Sequence, residues 1–304
     1  MKYQWKIFYS WFLSLFFTQE IKAQELVKIS DQLWRLMQFK SKFVLSRNIE
    51  IYLPEHYHDS LVSYPVIYWH DGQNLFDSAV AYNSNPLEMD RCIEKLKKEA
   101  NVEDCIVVGI WNSKERFREF MPEDIFRSLS RSSRNLLRLE YGGRPKSDLY
   151  LRFLIEEIKP YIDSNYRTLS DVDHCYIGGS SMGAIISLYA ILKHPDLFSR
   201  ACCLSTHWPW SVAHNTKEPF EQFMIYVKNL DLQKSLKSHR LYFDYGTENI
   251  DAWYEEYQTQ LDSYILSLRI SDFRYESRKF DGASHSELDW RKRLWIPMEF
   301  ILEK

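Results

Sequence analysis

One stretch of nine residues, YIGGSSMGA at 176–184, constrains the fold of this chain most strongly. A β-type apolar run at 174–177 precedes its glycines and a helix-type run at 184–193 follows them, so a strand turns abruptly into a helix here. This is the context of a nucleophile elbow, in which flanking glycines let the chain turn while the central serine is held strained and exposed. The pattern makes Ser181 the candidate nucleophile; the alternative is a glycine-rich turn whose serine only caps a helix.

Strand-like and helix-like runs alternate along most of the remaining chain. Continuous apolar strands separated by helices are typical of a parallel sheet covered on both faces, whereas alternating apolar and polar residues near the start indicate an antiparallel pair. The predicted strands are 37–43, 47–54, 64–70, 104–111, 174–177, 200–205, 241–245 and 273–280, and the predicted helices are 86–100, 148–162, 184–193, 253–268 and 286–302. We therefore predict a single, doubly wound α/β domain with a mostly parallel sheet and antiparallel N-terminal strands.

The first 23 residues differ from this domain. Lys2 and Lys6 give a basic start, residues 7–17 are almost wholly apolar, and Ala23 provides a small residue at a cleavage point. Because the apolar run is shorter than the ~20 residues of a membrane span, the segment is typical of a secretory signal peptide. We expect an exported protein, periplasmic or extracellular, with its domain at 24–304 and no stable membrane insertion after cleavage; an uncleaved anchor is the alternative.

Charge and cysteine content exclude several classes of function. The formal net charge of −3 gives no reason to expect a nucleic-acid partner. The five cysteines are an odd number without C-x-x-C spacing, so we interpret them as buried small hydrophobic residues. His56 and His58 have no third ligand nearby, whereas metal sites need three or four. We expect neither a metal nor a cofactor.

A serine nucleophile needs a base and an acid that orients the base. In α/β-hydrolases the chain order is Ser, then Asp or Glu, then His, in loops after late strands. His285 follows the last predicted strand, and His207, which follows an earlier strand, is the rival. The acid is expected at 246–251, where Asp251 is favoured over Glu248.

The tetrahedral intermediate also needs donors for its oxyanion. One donor is the backbone N–H of the residue after the nucleophile, and the other lies in the loop after an early strand. These are Met182 and Gln73.

Residues 113–146 interrupt the alternation of strands and helices. They contain nine Lys or Arg against five Asp or Glu and form an insertion over the carboxyl edge of the sheet. As a lid, the segment would bring Arg116 and Arg118 to the substrate and favour acidic or catecholate esters, because Arg binds such groups in a bidentate manner. Alternatively it is a solvated loop whose arginines pair with its own acids. Trp208, in the loop after a later strand, is a further candidate for substrate contact.

Four motifs resemble the putative esterase family of α/β-hydrolases, which includes esterase D, enterochelin-type siderophore esterases, feruloyl and acetylxylan esterases and mycolyltransferases. The motifs are RNIEIYLP at 47–54, YWHDGQNLF at 68–76, GGSSMG at 178–183 and GASHS at 282–286. The resemblance implies a cofactor-free serine carboxylesterase that uses Ser181, His285 and an acid at 246–251. Relatives differ in the position of that acid, which leaves Glu248, Asn249 and Asp251 open.

The resemblance leaves the substrate and the reaction open, because one fold serves many functions. We expect a small-molecule or polysaccharide-linked ester of the sugar, phenolic or siderophore type, cleaved through an acyl-enzyme. The alternatives are an acyltransferase with the same triad and a binding protein without catalysis.

Overall fold

The computed structural model describes residues 25–59 and 61–304, so the predicted signal peptide at 1–23 lies outside the described residues. Its strands form one nine-stranded sheet in the order β1-β2-β3-β5-β4-β6-β7-β8-β9. They are β1 (Leu26–Lys28), β2 (Leu33–Phe39), β3 (Arg47–Tyr52), β4 (Val66–His70), β5 (Ile106–Ile110), β6 (Cys175–Ser180), β7 (Arg200–Leu204), β8 (Arg240–Gly246) and β9 (Arg274–Phe280).

The directions of the strands confirm the predicted fold class. The pairs β1–β2, β2–β3 and β3–β5 are antiparallel, and every pair from β5–β4 to β8–β9 is parallel. The carboxyl ends of β4, β6, β8 and β9 therefore meet at one edge, where active sites of open α/β sheets lie.

Helices cover both faces of the sheet. They are α1 (Met89–Glu99), α2 (Arg116–Phe120), α3 (Glu123–Ser128), α4 (Arg131–Glu140), α5 (Ser147–Arg152), α6 (Lys159–Asn165), α7 (Met182–Lys193), α8 (Glu218–Lys228), α9 (Leu232–Ser235), α10 (Tyr254–Ser267), α11 (Glu287–Arg293) and α12 (Trp295–Leu302). A π-helical stretch, Phe153–Ile158, joins α5 to α6.

Two hydrophobic clusters lie on opposite faces of the sheet. Helices α1 and α12 belong to one cluster, and α7, α8, α10 and the 113–165 region belong to the other. Side chains alternate between the faces of a strand, so in β6 Tyr176 enters the first cluster and Ile177 the second. Helix α7 is buried from Met182 to Leu192, as expected of a helix that is apolar on all sides.

Several predicted boundaries differ from the structure. The closing helix predicted at 286–302 is two helices, because Pro297 has no N–H to donate to the carbonyl of Arg293. The segment at 113–146 is not an irregular loop but contains α2, α3 and α4, and helices α8 and α9 were not predicted. All five cysteines are free. Among the described residues, no helix combines the length and apolar character needed to cross a bilayer.

Candidate active site

Ser181 occupies a strained turn between β6 and α7. Its backbone has φ 59° and ψ −122°, a combination that costs energy for any residue other than glycine and recurs at functional sites. The turn closes tightly, because a Cβ on Gly179 would lie 2.8 Å from the carbonyl carbon of Gly183. The predicted elbow therefore exists as a structural feature, and the half-buried Ser181 side chain stands at the amino end of α7.

The loop after β9 brings His285 to the loop after β8. His285 Nδ1 lies 2.5 Å from Oδ1 of Asp251, whose side chain is fully buried. Glu248 precedes the helical turn Asn249–Trp253 and Asp251 lies within it; the first residue of this turn has φ 56°. This turn directs Asp251 inward and leaves Glu248 exposed, so of the two it is Asp251 that contacts the imidazole.

The second carboxylate oxygen of Asp251 is also fully engaged. Oδ2 accepts hydrogen bonds from Ser205 Oγ at 2.6 Å and from the backbone N–H of Gly246 at 2.7 Å. Burial alone would raise the pKa of Asp251, but the hydrogen bonds from His285, Ser205 and Gly246 outweigh it and lower the pKa. Asp251 is therefore held as a carboxylate that fixes the orientation of the ring.

Ser205 links this carboxylate to the last helices. Its Oγ accepts hydrogen bonds from Trp290 Nε1 at 2.9 Å and from Arg293 Nη2 at 3.0 Å, and the same Arg293 nitrogen donates to Asp244 at 2.9 Å. The edge of the Trp290 ring packs against the His285 ring, with centroids 4.9 Å apart. These buried contacts were not found from the sequence. The available signal was a serine directly after a strand, but its partners lie 85 or more residues away.

An open cavity of about 510 Å³ lies between these elements and is lined by both Ser181 and His285. In the described part of the chain the two side chains are not hydrogen-bonded to each other. Catalytic hydrogen bonds are often long before substrate binds, so the lack of this bond does not exclude proton transfer from Ser181 to His285.

The two expected oxyanion donors flank the nucleophile. Met182 begins α7, so its N–H is one of the amides that a helix leaves unpaired. Gln73 lines the cavity, and its side-chain oxygen accepts the N–H of Asn112 at 3.1 Å, which fixes the loop. Within residues 25–59 and 61–304 neither backbone N–H has an acceptor, so both are free for an oxyanion.

His207, the rival base, is buried in the core and does not line the cavity. Its Nδ1 lies 2.6 Å from Tyr254 Oη. Burial lowers the pKa of His207 to about 3, so this histidine is neutral at physiological pH. The structure thus leaves His285 as the histidine beside Ser181.

The two arginines predicted to contact substrate have different surroundings. Arg116 lines the cavity, but its guanidinium makes two hydrogen bonds of 2.7 Å to Asp71. Burial would raise the pKa of Asp71, but Arg116 and Asn112 lower it, so the pair is ionised. Arg118 lies outside the lining and pairs with Glu115 at 2.7 Å. Each guanidinium is thus already paired with a carboxylate of the protein.

Trp208, predicted as a substrate contact, lies in the core and does not line the cavity. Its side chain is fully buried, its Nε1 donates to Gln258 at 3.2 Å, and its ring packs against Phe220 and Phe223 of α8. Because helix α8 was not predicted, the partners that cover this tryptophan could not be identified from the sequence. In place of Trp208, Val212 and Ile250 contribute apolar side chains to the wall of the cavity.

Other side chains complete the cavity. Asn74, Asn112, Tyr82 and Glu287 offer hydrogen-bonding groups, and Phe117 adds an aromatic wall. Burial raises the pKa of Glu287, which begins α11. None of these was identified from the sequence.

Comparisons with known proteins agree with this architecture. The family described as "Putative esterase" matches residues 43–298. The uncharacterized protein YbbA of Bacillus subtilis is 26% identical over 164 residues, which cover 54% of this chain and only 58% of YbbA. A solved IroE-like serine hydrolase from Shewanella oneidensis has a TM-score of 0.65 at 20% identity, with 88% of this chain and 79% of that chain covered. A ferulic acid esterase has a TM-score of 0.64 at 19% identity, with 89% and 98% covered.

Proposed function

The chain belongs to the Putative esterase family, and we propose that it is a serine carboxylesterase with Ser181 as nucleophile, His285 as base and Asp251 as orienting acid. One observation carries this proposal: a buried Asp251 carboxylate lies 2.5 Å from His285 Nδ1, and His285 shares a cavity with a serine on a strained elbow. The family and its structural neighbours support an ester hydrolase, and this geometry supports the serine mechanism.

In the first half of the reaction, His285 Nε2 takes the proton of Ser181 as Oγ bonds to the ester carbonyl carbon. The carbonyl oxygen becomes an oxyanion and accepts hydrogen bonds from the backbone N–H groups of Met182 and Gln73. His285 then returns the proton to the ester oxygen, the C–O bond breaks, and the alcohol leaves an acyl-Ser181 intermediate.

In the second half, water replaces the alcohol. His285 takes a proton from water as its oxygen attacks the acyl carbon, and the proton then passes to Ser181 Oγ as the acyl bond breaks and the acid leaves. Asp251 keeps the proton of the neutral ring on Nδ1, leaving Nε2 free as the acceptor, and stabilises the imidazolium in both halves.

For the substrate, we propose an ester of a neutral hydroxylated group, sugar-linked or phenolic. The cavity lining offers amide and carboxyl groups together with the apolar side chains of Phe117, Val212 and Ile250. Because Asp71 already neutralises Arg116, the cavity has no unpaired cation to favour an acidic ester. This replaces our expectation that the 113–146 segment selects acidic substrates through Arg116 and Arg118.

We also propose that the protein is exported, on the evidence of the basic start and apolar run in its first 23 residues.

Turnover of p-nitrophenyl acetate and of a feruloyl ester tests the proposed activity. We expect Ser181→Ala to lower kcat/KM by about three or more powers of ten without changing the melting temperature. Ser187→Ala is the matched control, because Ser187 is a buried serine of the same helix that bonds only to the carbonyl of Gly183. Equal activity in both variants would exclude Ser181 as the nucleophile.

A further inference from the structure

The 113–146 segment contains a second cavity, distinct from the one that holds Ser181. It has a volume of about 340 Å³, and the two linings share no residue. Arginine is its main component, with one acid present; the lining consists of Glu123, Phe126, Arg127, Arg134, Arg138, Arg144 and Pro145.

Three of these four arginines lack an ion-pair partner. Arg127 is paired with Glu123 at 3.0 Å and Asp124 at 2.9 Å. In the described part of the chain, the guanidinium groups of Arg134, Arg138 and Arg144 make neither a hydrogen bond nor a salt bridge.

A further acid, Glu218, does not supply an ion pair to these arginines in the described part of the chain. Glu218 is close enough to Arg134 for the arginine to contribute to lowering the pKa of Glu218. Burial works in the opposite direction and is the largest single influence, but hydrogen bonds from Ser133 and Ser130 outweigh it. These donors hold the Glu218 carboxylate in place, and in the described part of the chain it forms no salt bridge with Arg134.

Like charges on neighbouring side chains destabilise a protein unless an opposite charge neutralises them. Arg134 and Arg138 are four residues apart on α4, so they lie on one helix face and repel each other. Both are half-buried, which limits screening by water. Arg144 follows after the turn at 142–143, where the backbone carbonyl of Arg144 is fixed by Arg118 Nε at 2.8 Å. Three positive side chains thus line one space, of which Arg134 and Arg138 are half-buried and Arg144 is exposed.

We propose that this arginine cavity binds a small, multiply charged oxyanion of the phosphate or polycarboxylate type. The guanidinium fork donates two parallel hydrogen bonds to such groups, and charge-assisted bonds are stronger than neutral ones. A monovalent anion would neutralise only one of the three unpaired groups. The site is formed by the 113–146 segment alone and does not depend on the role of Ser181.

The same segment also forms part of the catalytic cavity. Tyr141 follows α4 directly, and its ring stacks on Phe117 with centroids 4.3 Å apart. Phe117 lines the cavity with Ser181. Arg138 of the arginine cavity lies in the last turn of α4, directly before Tyr141, so α4 and the Tyr141–Phe117 stack connect the two cavities.

Isothermal titration calorimetry at constant ionic strength tests this proposal, with pyrophosphate and citrate as probes and acetate as the monovalent control. We expect saturable binding of one pyrophosphate or one citrate per chain and no comparable binding of acetate. A preference between the two probes identifies the phosphate or the polycarboxylate type.

The double variant Arg134→Gln/Arg138→Gln should bind at least about tenfold more weakly, since it loses two sets of charge-assisted hydrogen bonds. Arg131→Gln is the matched control, because Arg131 is an exposed arginine of the same helix that does not line the cavity. Arg144→Gln, in a loop, provides a second variant if the helix variant unfolds. Ser181→Ala should bind as the parent does. Absence of saturable binding, or equal affinity in the parent and the Arg134, Arg138 and Arg144 variants, would overturn the proposal.

Discussion

Replacing Ser205 with alanine tests the buried network that supports the proposed catalytic acid. In the parent, Ser205 Oγ donates to Asp251 at 2.6 Å and accepts from Trp290 at 2.9 Å and Arg293 at 3.0 Å. All four residues are buried or nearly so. One small substitution therefore removes three buried hydrogen bonds and adds no bulk.

The magnitude follows from the partners that remain. Asp251 Oδ2 keeps the Gly246 amide and Arg293 Nη2 keeps Asp244, so each loses one bond of several, about 0.5–1.5 kcal/mol. Trp290 Nε1 has no other acceptor in the described chain, and an unsatisfied buried donor costs about 1–3 kcal/mol. We expect the free energy of unfolding to fall by about 2–6 kcal/mol. Looser positioning of Asp251 should also lower kcat by about tenfold to a hundredfold with little change in KM.

Urea denaturation and ester turnover, measured on the same samples, are the assays. Ser187→Ala serves again as the control, because Ser187 is equally buried but makes a single hydrogen bond, to the carbonyl of Gly183 at 2.8 Å. If Ser205→Ala costs no more than this control and leaves kcat unchanged, the network does not position the acid.

Four further substitutions test other parts of the site. Asp251→Asn should lower kcat by about three to four powers of ten, whereas Glu248→Gln, an exposed change, should leave it within about twofold; the reverse result would reassign the acid. Burial depresses the pKa of His207 to about 3, below its unfolded value of ~6.5. Below pH 6.5 the unfolded chain therefore binds one proton more than the folded chain, and the free energy of unfolding falls by about 1.4 kcal/mol for each unit by which the pH decreases. Between pH 7 and pH 5, the free energy of unfolding of His207→Gln should therefore fall by about 2 kcal/mol less than that of the parent. An equal fall in the two proteins, measured by urea denaturation at both pH values, would contradict this. In Gly246→Ala the new Cβ would overlap the backbone carbonyl oxygen of Ala283, so we expect the loops that carry Asp251 and His285 to separate. The free energy of unfolding, measured by denaturation, should fall by more than about 2 kcal/mol. A fully active variant with the stability of the parent would refute the close packing.

The sequence was most informative where the argument was local. The elbow at Ser181 could be predicted because its glycines, the strand before it and the helix after it are all contiguous. The position of His285 followed from chain order, since the last strand and last helix bracket it. Both inferences depend on few long-range contacts.

The sequence favoured Asp251 over Glu248 as the acid but left the choice open, because it depends on one helical turn. Asp251 and Glu248 are three residues apart, and the chain between them includes Asn249 with a positive φ. Sequence patterns do not report such a dihedral angle at a residue other than glycine.

Trp208 and the arginines show a different limitation, which is the identity of long-range partners. The burial of Trp208 depends on Phe220 and Phe223, in a helix that sequence patterns did not reveal. Arg116 was expected to contact substrate, but Asp71, 45 residues earlier, neutralises it. Composition indicated a basic segment without showing which charges would be paired.

Covalent labelling with a fluorophosphonate probe tests the central claim most directly, because the probe reacts with an activated serine and leaves a stable adduct. Intact-protein mass spectrometry followed by peptide mapping identifies the modified residue. We predict one adduct per chain, on Ser181, with no adduct in Ser181→Ala and much slower labelling in His285→Ala. An adduct on a different serine, or equal labelling of the parent and Ser181→Ala, would contradict the account.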